Sequence, residues 1–475
     1  MKVKKQSVTL PTVPTVFVIF GATGDLTHRK LIPSLFSLYQ AKKLPRLFSI
    51  IGFSHRPITE QVFQKLLWDQ GGELKKKPEF KKFVSLIHYH QGDFEDRASY
   101  DSLAQKLGYQ DKQWKACASK LFHLAVPPKY YPSLLKHLSD SGLTDPCSED
   151  EGWTRILVEK PFGHDEQSAA NLDLLLGRLF KEEQIFRVDH YLAKDTIQNM
   201  LAFRFSNSLF EPIWNHKYIE RVHIRLLETI DIGTRGSFYN EIGALRDVGQ
   251  NHLLQMLALV SMNNPKQLTS EAIRRGRSEM MKALHLMHGQ EMRSSIIRGQ
   301  YQGYTKAKNV PKNSTTETYF KIKAFIDNPR WRGVPFYLES GKALAEKKTE
   351  IKVYFQPIHP CLCPSPHPEH RHQNSVTFRI QPDEGISVKF YAKKSDLSGD
   401  IESRNLSFRF HKDGSKELDA YEKLLYDAIR GDQTLFASTA EVAAQWKFIT
   451  PILHTWEKLP LHKYKVGSEG PEVKL

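Results

Sequence analysis

The chain has 475 residues, 40% of them hydrophobic and 25% charged, with a net charge of +15 and a pI near 9.3. That balance belongs to an ordinary globular protein of two or three domains, each long enough to bury its own core, and no run reaches the ~20 apolar residues of a membrane-spanning helix. The basic excess suits acidic partners such as phosphorylated metabolites; it argues little for nucleic acid, because the run Lys75–Lys77 with Lys81 and Lys82 carries no interleaved aromatic ladder.

In chain order, Pro11 and Pro14 interrupt the N-terminal stretch, and its longest apolar run is Val16–Phe20. A secretory core needs about 7–15 such residues, so TVFVIF reads as a first β-strand. Up to about residue 190, short apolar runs (TVFVIF, LFSIIGF, KLFHLAV, RILVEKP, IFRVDHY) alternate with helical spacing such as Leu31, Leu35 and Leu38. Strand–helix alternation predicts a parallel sheet covered by helices on both faces. Downstream come a helical DVGQNHLLQMLALV and a second helix from about 271 to 287. The runs YFKIKAFI, VPFYLE, EIKVYF, SVTFRI, ISVKFY and LSFRF then alternate apolar and polar residues, predicting a large antiparallel sheet with helices on one face. Helices are expected again at DAYEKLLYDAI and TAEVAAQWKFI. The fold class is therefore a Rossmann-type α/β domain, 10–188, followed by an α+β domain, 189–475.

Three clusters carry chemistry. Gly21, Thr23, Gly24, Asp25 and Leu26 follow the first strand at once and open a helix. Glycine lets backbone approach a pyrophosphate, and helix N-terminal N–H groups bind the anion; the alternative is a tight turn in a non-binding α/β domain. The second strand ends in Ser54-His55-Arg56, with no acid before Glu60. NAD-specific folds place an acid there for the ribose 2′-hydroxyl, so a basic residue favours a 2′-phosphate and NADP, unless Arg56 is an ordinary surface arginine. The second cluster sets the Asp189 carboxylate beside the imidazole, phenol and ammonium of His190, Tyr191 and Lys194; those three are either phosphate donors or part of a strand end with a charged turn. In the third, Arg246–His252, the imidazole of His252 shares a helical stripe with Val248, Met256 and Leu259. It is either a packed core histidine or a base, and a base needs an acid partner.

Taken together, GATGDLTHRKLIPSLF, ILVEKPFG, RVDHYLAKD, IGALRDVGQNHLLQ, IRGQY, VPFYLESGKALAEKK, IQPDEGI and DAYEKLLYDAIRGDQTLF resemble the glucose-6-phosphate 1-dehydrogenase family, in its order and over nearly its full length. The resemblance implies hydride transfer from C1 of glucose 6-phosphate to NADP, with NAD as the alternative acceptor. It casts His252 as general base and Asp189 as the carboxylate that orients it. It casts His190, Tyr191 and Lys194 as phosphate ligands, and Lys160 as a contact to substrate and coenzyme, with Lys160–Pro161 cis. It casts Glu228, Asp247 and Lys342 as sugar or phosphate ligands and Lys347 as a weaker candidate. Gly21, Thr23, Gly24, Asp25, Leu26 and Tyr131 fall at coenzyme-contacting positions, to which the strand-end reading adds His55 and Arg56. It also implies a homodimer or homotetramer, and no metal. The competing readings are a sugar oxidoreductase of the glucose–fructose oxidoreductase type and a non-catalytic sugar-phosphate or NADP(H) sensor.

The chain departs from the family pattern in four places. His55 stands where arginine is usual, with Arg56 one residue late; His28 replaces a lysine; Gly249 replaces a methionine. The fourth, 357–372, reads PIHPCLCPSPHPEHRH and is expected to be a proline-rich surface loop, with zinc ligation by Cys361, Cys363, His359, His367, His370 or His372 as the alternative. With Cys117 and Cys147 the chain has four cysteines, too few for a disulfide framework, so a reducing, cytoplasmic setting is expected.

Overall fold

The computed structural model describes residues 13–147, 151–358, 372–410, 418–473 and 475. The segment proposed above as a proline-rich loop or zinc ligand set lies almost wholly outside them. The chain forms two compact units. The first comprises Met1–Gly163, Gln167–Ala193 and Leu418–Thr439; the second comprises His164–Glu166, Lys194–Glu417 and Ala440–Leu475. A piece of chain far beyond residue 188 is thus part of the first unit.

The first unit is built on β1 (Thr15–Phe20), β2 (Phe48–Ser54), β3 (Ile87–Gln91), β4 (Ser119–Leu124), β5 (Thr154–Val158), β6 (Ile185–Val188) and, from the returning segment, β15 (Phe436–Ala437). Their order is β15-β6-β5-β4-β1-β2-β3. All pairs are parallel except the one β15 makes with β6. The six main strands reproduce the doubly wound dinucleotide-binding order, whose crevice opens where the order reverses, between β1 and β4. Every residue of β1, β2 and β4 is buried, as expected for strands covered on both faces. The five expected strands are present; β3 and β15 were not expected. The helix Ala420–Arg430 is fixed to this sheet by Arg155, which donates to the carbonyls of Ala428 and Ile429 at 2.9 and 2.8 Å. Those are last-turn carbonyls, where a guanidinium can supply donors that the helix end lacks, although Ala428 O also accepts from the Gly431 N–H. Cys117 and Cys147 are joined by a disulfide.

The second unit contains β7 (Ile219–Leu227), β8 (Ile296–Tyr301), β9 (Tyr319–Ala324), β10 (Phe336–Gly341), β11 (Lys348–Phe355), β12 (Ser375–Gln381), β13 (Gly385–Lys393), β14 (Ile401–Arg409) and β16 (Leu461–Tyr464). They form a nine-stranded sheet in the order β14-β13-β12-β11-β7-β10-β9-β8-β16. It is antiparallel apart from β7 with β10 and β8 with β16. The expected helix at DVGQNHLLQMLALV divides: Leu245–Leu253 winds as a wide π-helix before Leu254–Ser261 continues as α-helix. The next helix, Ser270–Lys282, stops short of residue 287. Among the described residues no helix is long and apolar enough to cross a membrane.

One buried ion pair ties Ser270–Lys282 to the C-terminal helix Thr439–Trp456. Arg277 and Glu441 are 1% and 0% exposed, with Nε–Oε1 at 2.7 Å and a second contact at 3.4 Å. Removing one partner of such a pair strands the other charge in the core. Glu441→Ala is expected to lower unfolding stability by about 3–5 kcal/mol, read from urea denaturation with unchanged slope.

Candidate active site

At the crevice of the first unit the backbone is bare by necessity. Gly21 follows β1 with φ +85°, and a Cβ there would lie 2.3 Å from the carbonyl oxygen of Ala125, the residue after β4. No side chain fits, and the positive φ would strain any L residue. The turn is held by Gly24 N–H donating to Gly21 O at 2.9 Å and by Gly21 and Ala22 N–H donating to Phe53 O. Such a cradle at a helix start, at a topological switch point, fits a dinucleotide pyrophosphate. Asp25 is exposed and faces Arg29, and Leu26 is half-buried.

Thr23 is tied to the end of β2: its hydroxyl lies 2.9 Å from the Ser54 hydroxyl. Beyond Ser54 the strand stops, and His55 and Arg56 are exposed. The Arg56 carbonyl accepts from the Tyr89 hydroxyl at 2.6 Å, fixing the bend. His55 sets its ring edge-on to Phe94. Burial lowers the His28 pKa, and the Arg56 guanidinium lowers it further while the Thr23 backbone opposes.

The Glu-Lys-Pro segment leaves β5, with Lys160–Pro161 cis. Its frame is Glu159, whose carboxylate meets His123 Nε2 at 3.0 Å and the Tyr421 hydroxyl at 3.2 Å. The Tyr131 hydroxyl donates to the Glu159 carbonyl at 3.1 Å, and burial raises the pKa of that phenol. Tyr131 is 1% exposed and so steadies the backbone that presents Lys160. After β6, Asp189 is buried and accepts from the Tyr191 N–H at 3.0 Å, while the rings of His190 and Tyr191 lie 4.8 Å apart.

In the second unit Lys194 pairs with Glu384 at 3.0 Å. The other oxygen of Glu384 accepts from Thr196 N–H at the start of the helix Asp195–Phe205. Glu228 and Lys342 are in direct contact. The Lys342 ammonium also lies 5.4 Å from the centre of the Tyr239 ring. Asp247 and His252 stand on the π-helix, where His252 is 1% exposed. Lys347 is exposed just ahead of β11, and no contact in the described residues joins it to Glu228 or Lys342.

Sequence reasoning missed two groups here. Gly243 adopts φ +70°, and a Cβ on it would strike the Glu317 carboxylate at 2.4 Å. Glu317, fully buried, accepts from Leu245 N–H at 3.0 Å and from Trp456 Nε1 at 2.8 Å, and burial raises its pKa. It thereby anchors the first turn of the helix that carries Asp247 and His252. Tyr239 is 1% exposed, and among the described residues its hydroxyl has no hydrogen-bond partner. Burial, then the charges of Asp247 and Glu317, then Tyr464 and Glu228, push its pKa up. Neither residue lies in a local pattern that signals its role: Glu317 reaches Leu245 across 72 residues of chain, and Tyr239 meets Lys342 from a distant strand end.

Comparison with known proteins fits this architecture. A family model described as the NAD binding domain of glucose-6-phosphate dehydrogenase matches residues 18–199, and one described as its C-terminal domain matches 201–474. Glucose-6-phosphate 1-dehydrogenase of Aggregatibacter actinomycetemcomitans is 38% identical over 96% of this chain and 93% of its own. The enzyme of that name from Chlamydia muridarum is 37% identical over 99% and 96%. Among solved structures, a glucose-6-phosphate dehydrogenase in complex with its substrate glucose-6-phosphate superposes with a TM-score of 0.89 at 31% identity, covering 98% of this chain and 96% of that one. With both of its domains matched and relatives aligned almost end to end, the chain belongs to the glucose-6-phosphate dehydrogenase family.

Proposed function

We propose that this protein oxidises C1 of D-glucose 6-phosphate, with NADP as hydride acceptor, to give 6-phosphogluconolactone, the first oxidative step of the pentose phosphate pathway. The observation that carries the reading is family membership across both domains, joined to a glycine cradle that excludes a side chain at Gly21. Residues 10–188, joined by the returning Leu418–Thr439, form the coenzyme domain, and the greater part of 189–475 forms the substrate-binding and oligomerisation domain of a cytoplasmic homodimer or homotetramer.

A hydride leaves C1 only as electron density is pushed in from its oxygen, so a base near the C1 hydroxyl is needed. His252 takes that proton, a contribution of about 10²–10⁴-fold. Asp189 fixes the imidazole tautomer and steadies its protonated form. His190, Tyr191 and Lys194 donate to the phosphate, and that remote binding energy positions C1. Glu228, Asp247, Lys342 and, more weakly, Lys347 hold the sugar, while Lys160 touches sugar and coenzyme. Bound NADP supplies the hydride acceptor, so no metal is needed. Gly21, Thr23, Gly24, Asp25, Leu26 and Tyr131 hold the dinucleotide. Arg56, with His55, meets the 2′-phosphate. This is supported by the absence of an acid at the end of β2 and by the Arg56 field on His28.

His252→Asn is expected to cut turnover by about 10²–10⁴-fold with glucose 6-phosphate binding retained. Lost binding with normal turnover of the bound complex would remove the base from the mechanism. Lys194→Ala is expected to raise KM for glucose 6-phosphate while leaving the weak reaction of free glucose unchanged; an unaltered preference would move the phosphate elsewhere. For the coenzyme, kcat/KM of wild type should favour NADP over NAD. Arg56→Ala should remove about tenfold or more of that preference, the loss of a charge-assisted bond. Equal use of both coenzymes by the wild type would overturn the NADP assignment.

A further inference from the structure

The first unit holds a second concavity at the end of its sheet opposite the glycine turn. The segments that enter β1, β4, β5 and β6 border a cavity of about 830 Å³, within the size range of small-molecule sites. Its wall includes Cys117, the cations Lys115, Arg155 and Lys181, and the acids Glu151 and Glu183. Lys115 and Lys181 are exposed. Arg155 is held in place by its two carbonyl partners and by stacking at 3.8 Å on the Trp153 ring.

Cys117 is half-buried and Cys147 exposed, and the bond between them closes the loop ahead of β5 onto the loop ahead of β4. Gly152, at φ +72°, packs its backbone on the two sulfurs; a Cβ there would come within 2.7 Å of Cys117 Sγ. The Lys120 ammonium, on a side chain in a residue only 8% exposed, lies 3.8 Å from Cys147 Sγ. The Asp111 carboxylate is within 4.8 Å of both sulfurs and accepts from Ala118 N–H at 3.0 Å, pinning the Cys117 loop. Burial lowers the Lys120 pKa and Asp111 opposes that shift.

This asymmetry assigns directions to the two sulfurs. One faces a cavity that carries mixed charge; the other sits beside a cation. Thiol–disulfide exchange is fastest when the departing sulfur is a stabilised thiolate, and a neighbouring ammonium stabilises one. We propose that the Cys117–Cys147 disulfide is an exchange-active site for a low-molecular-weight thiol that carries carboxylates and an ammonium, as glutathione does. The carboxylates dock on Lys115, Lys181 and Arg155, and the ammonium on Glu151 or Glu183. The incoming thiolate attacks Cys117 Sγ; the S–S bond breaks, and its electron pair leaves on Cys147 as a thiolate facing Lys120. The product is a mixed disulfide on Cys117. A second thiolate resolves it, releasing the small-molecule disulfide and leaving two protein thiols, so two electrons pass from two small thiols to the protein.

The test uses the full-length protein with its disulfide verified by peptide mapping. Thiol release is timed with reduced glutathione and with uncharged 2-mercaptoethanol, each rate divided by that of the same thiolate on an unstructured disulfide. Glutathione is expected to be about tenfold or more faster on this scale, in keeping with electrostatic guidance, and the advantage should fade as salt rises. Brief exposure should trap glutathione on Cys117. The double variant Lys115→Glu, Lys181→Glu should reduce the glutathione rate to the 2-mercaptoethanol level and leave the latter unchanged, with normal dehydrogenase turnover as the control for folding. Equal normalised rates in the wild type, an adduct on Cys147, a rate indifferent to the charge reversal, or a chain that never forms the bond would each overturn the proposal.

Discussion

The carboxylate of Glu159 is the point on which the coenzyme unit closes. It is reached by His123 from β4 and by Tyr421 from a helix more than 260 residues downstream in the chain. Buried carboxylates are costly unless hydrogen-bonded, so these contacts fix the end of β5 and the Lys160 that follows it. The returning helix is secured along its length. Arg155 satisfies its last carbonyls, and Lys423 donates to the Ala193 carbonyl just past the Asp189–Tyr191 segment. Arg187, 2% exposed on β6, gathers Asp173, Glu182 and Thr439 around one guanidinium. The ends of β5 and β6 are thus braced in part by chain that returns from Leu418–Thr439.

The second unit solves a similar problem with a different device. The helix that carries Asp247 and His252 begins at a kink on Gly243 and winds wide for its first two turns. Wide turns are weaker than α-helix and occur mostly at functional sites. Here two close approaches stabilise this one. Gly243 gives way to the Glu317 carboxylate, which accepts from the first helical N–H, and Gly249 lets Leu245 and the Phe320 ring press to within 2.8 Å of where a Cβ would be. The departure of Gly249 from the family's methionine therefore has a packing correlate: the Leu245 and Phe320 side chains fill the space that a side chain at that position would need.

The parts of this architecture legible in the sequence are those written in local periodicity. Continuous apolar runs gave β1, β2, β4, β5 and β6, and alternation gave six strands of the large sheet. β3 escaped because IHYHQ offers only Ile87 and Tyr89 to the core, and β14 is longer than LSFRF because most of its residues face solvent and carry no alternation of hydrophobicity. The glycine turn was legible because its constraint is local, a backbone that cannot carry a Cβ. Glu159, Glu317, Tyr239 and Tyr421 were not, because each acts through partners tens to hundreds of residues away. The return of Leu418–Thr439 to the first unit is of the same kind: its amphipathic helix was readable, its address was not.

The basic residue after β2 shows how a local rule can be applied one residue too far. If the strand continued through His55 and Arg56, neighbouring side chains would point to opposite faces, and an arginine displaced by one place would be turned away from a ribose phosphate. β2 ends at Ser54, however, and the next two residues lie in a bend pinned by the Tyr89 hydroxyl. There alternation no longer governs direction. His55 is drawn to the edge of Phe94, while the Arg56 charge is felt at His28, beside the glycine turn. A permanently charged guanidinium holds a phosphate dianion with paired, charge-assisted bonds; a neutral imidazole offers one donor. The bend thus frees the displaced arginine from the strand alternation that would have turned it away from its predecessor's side.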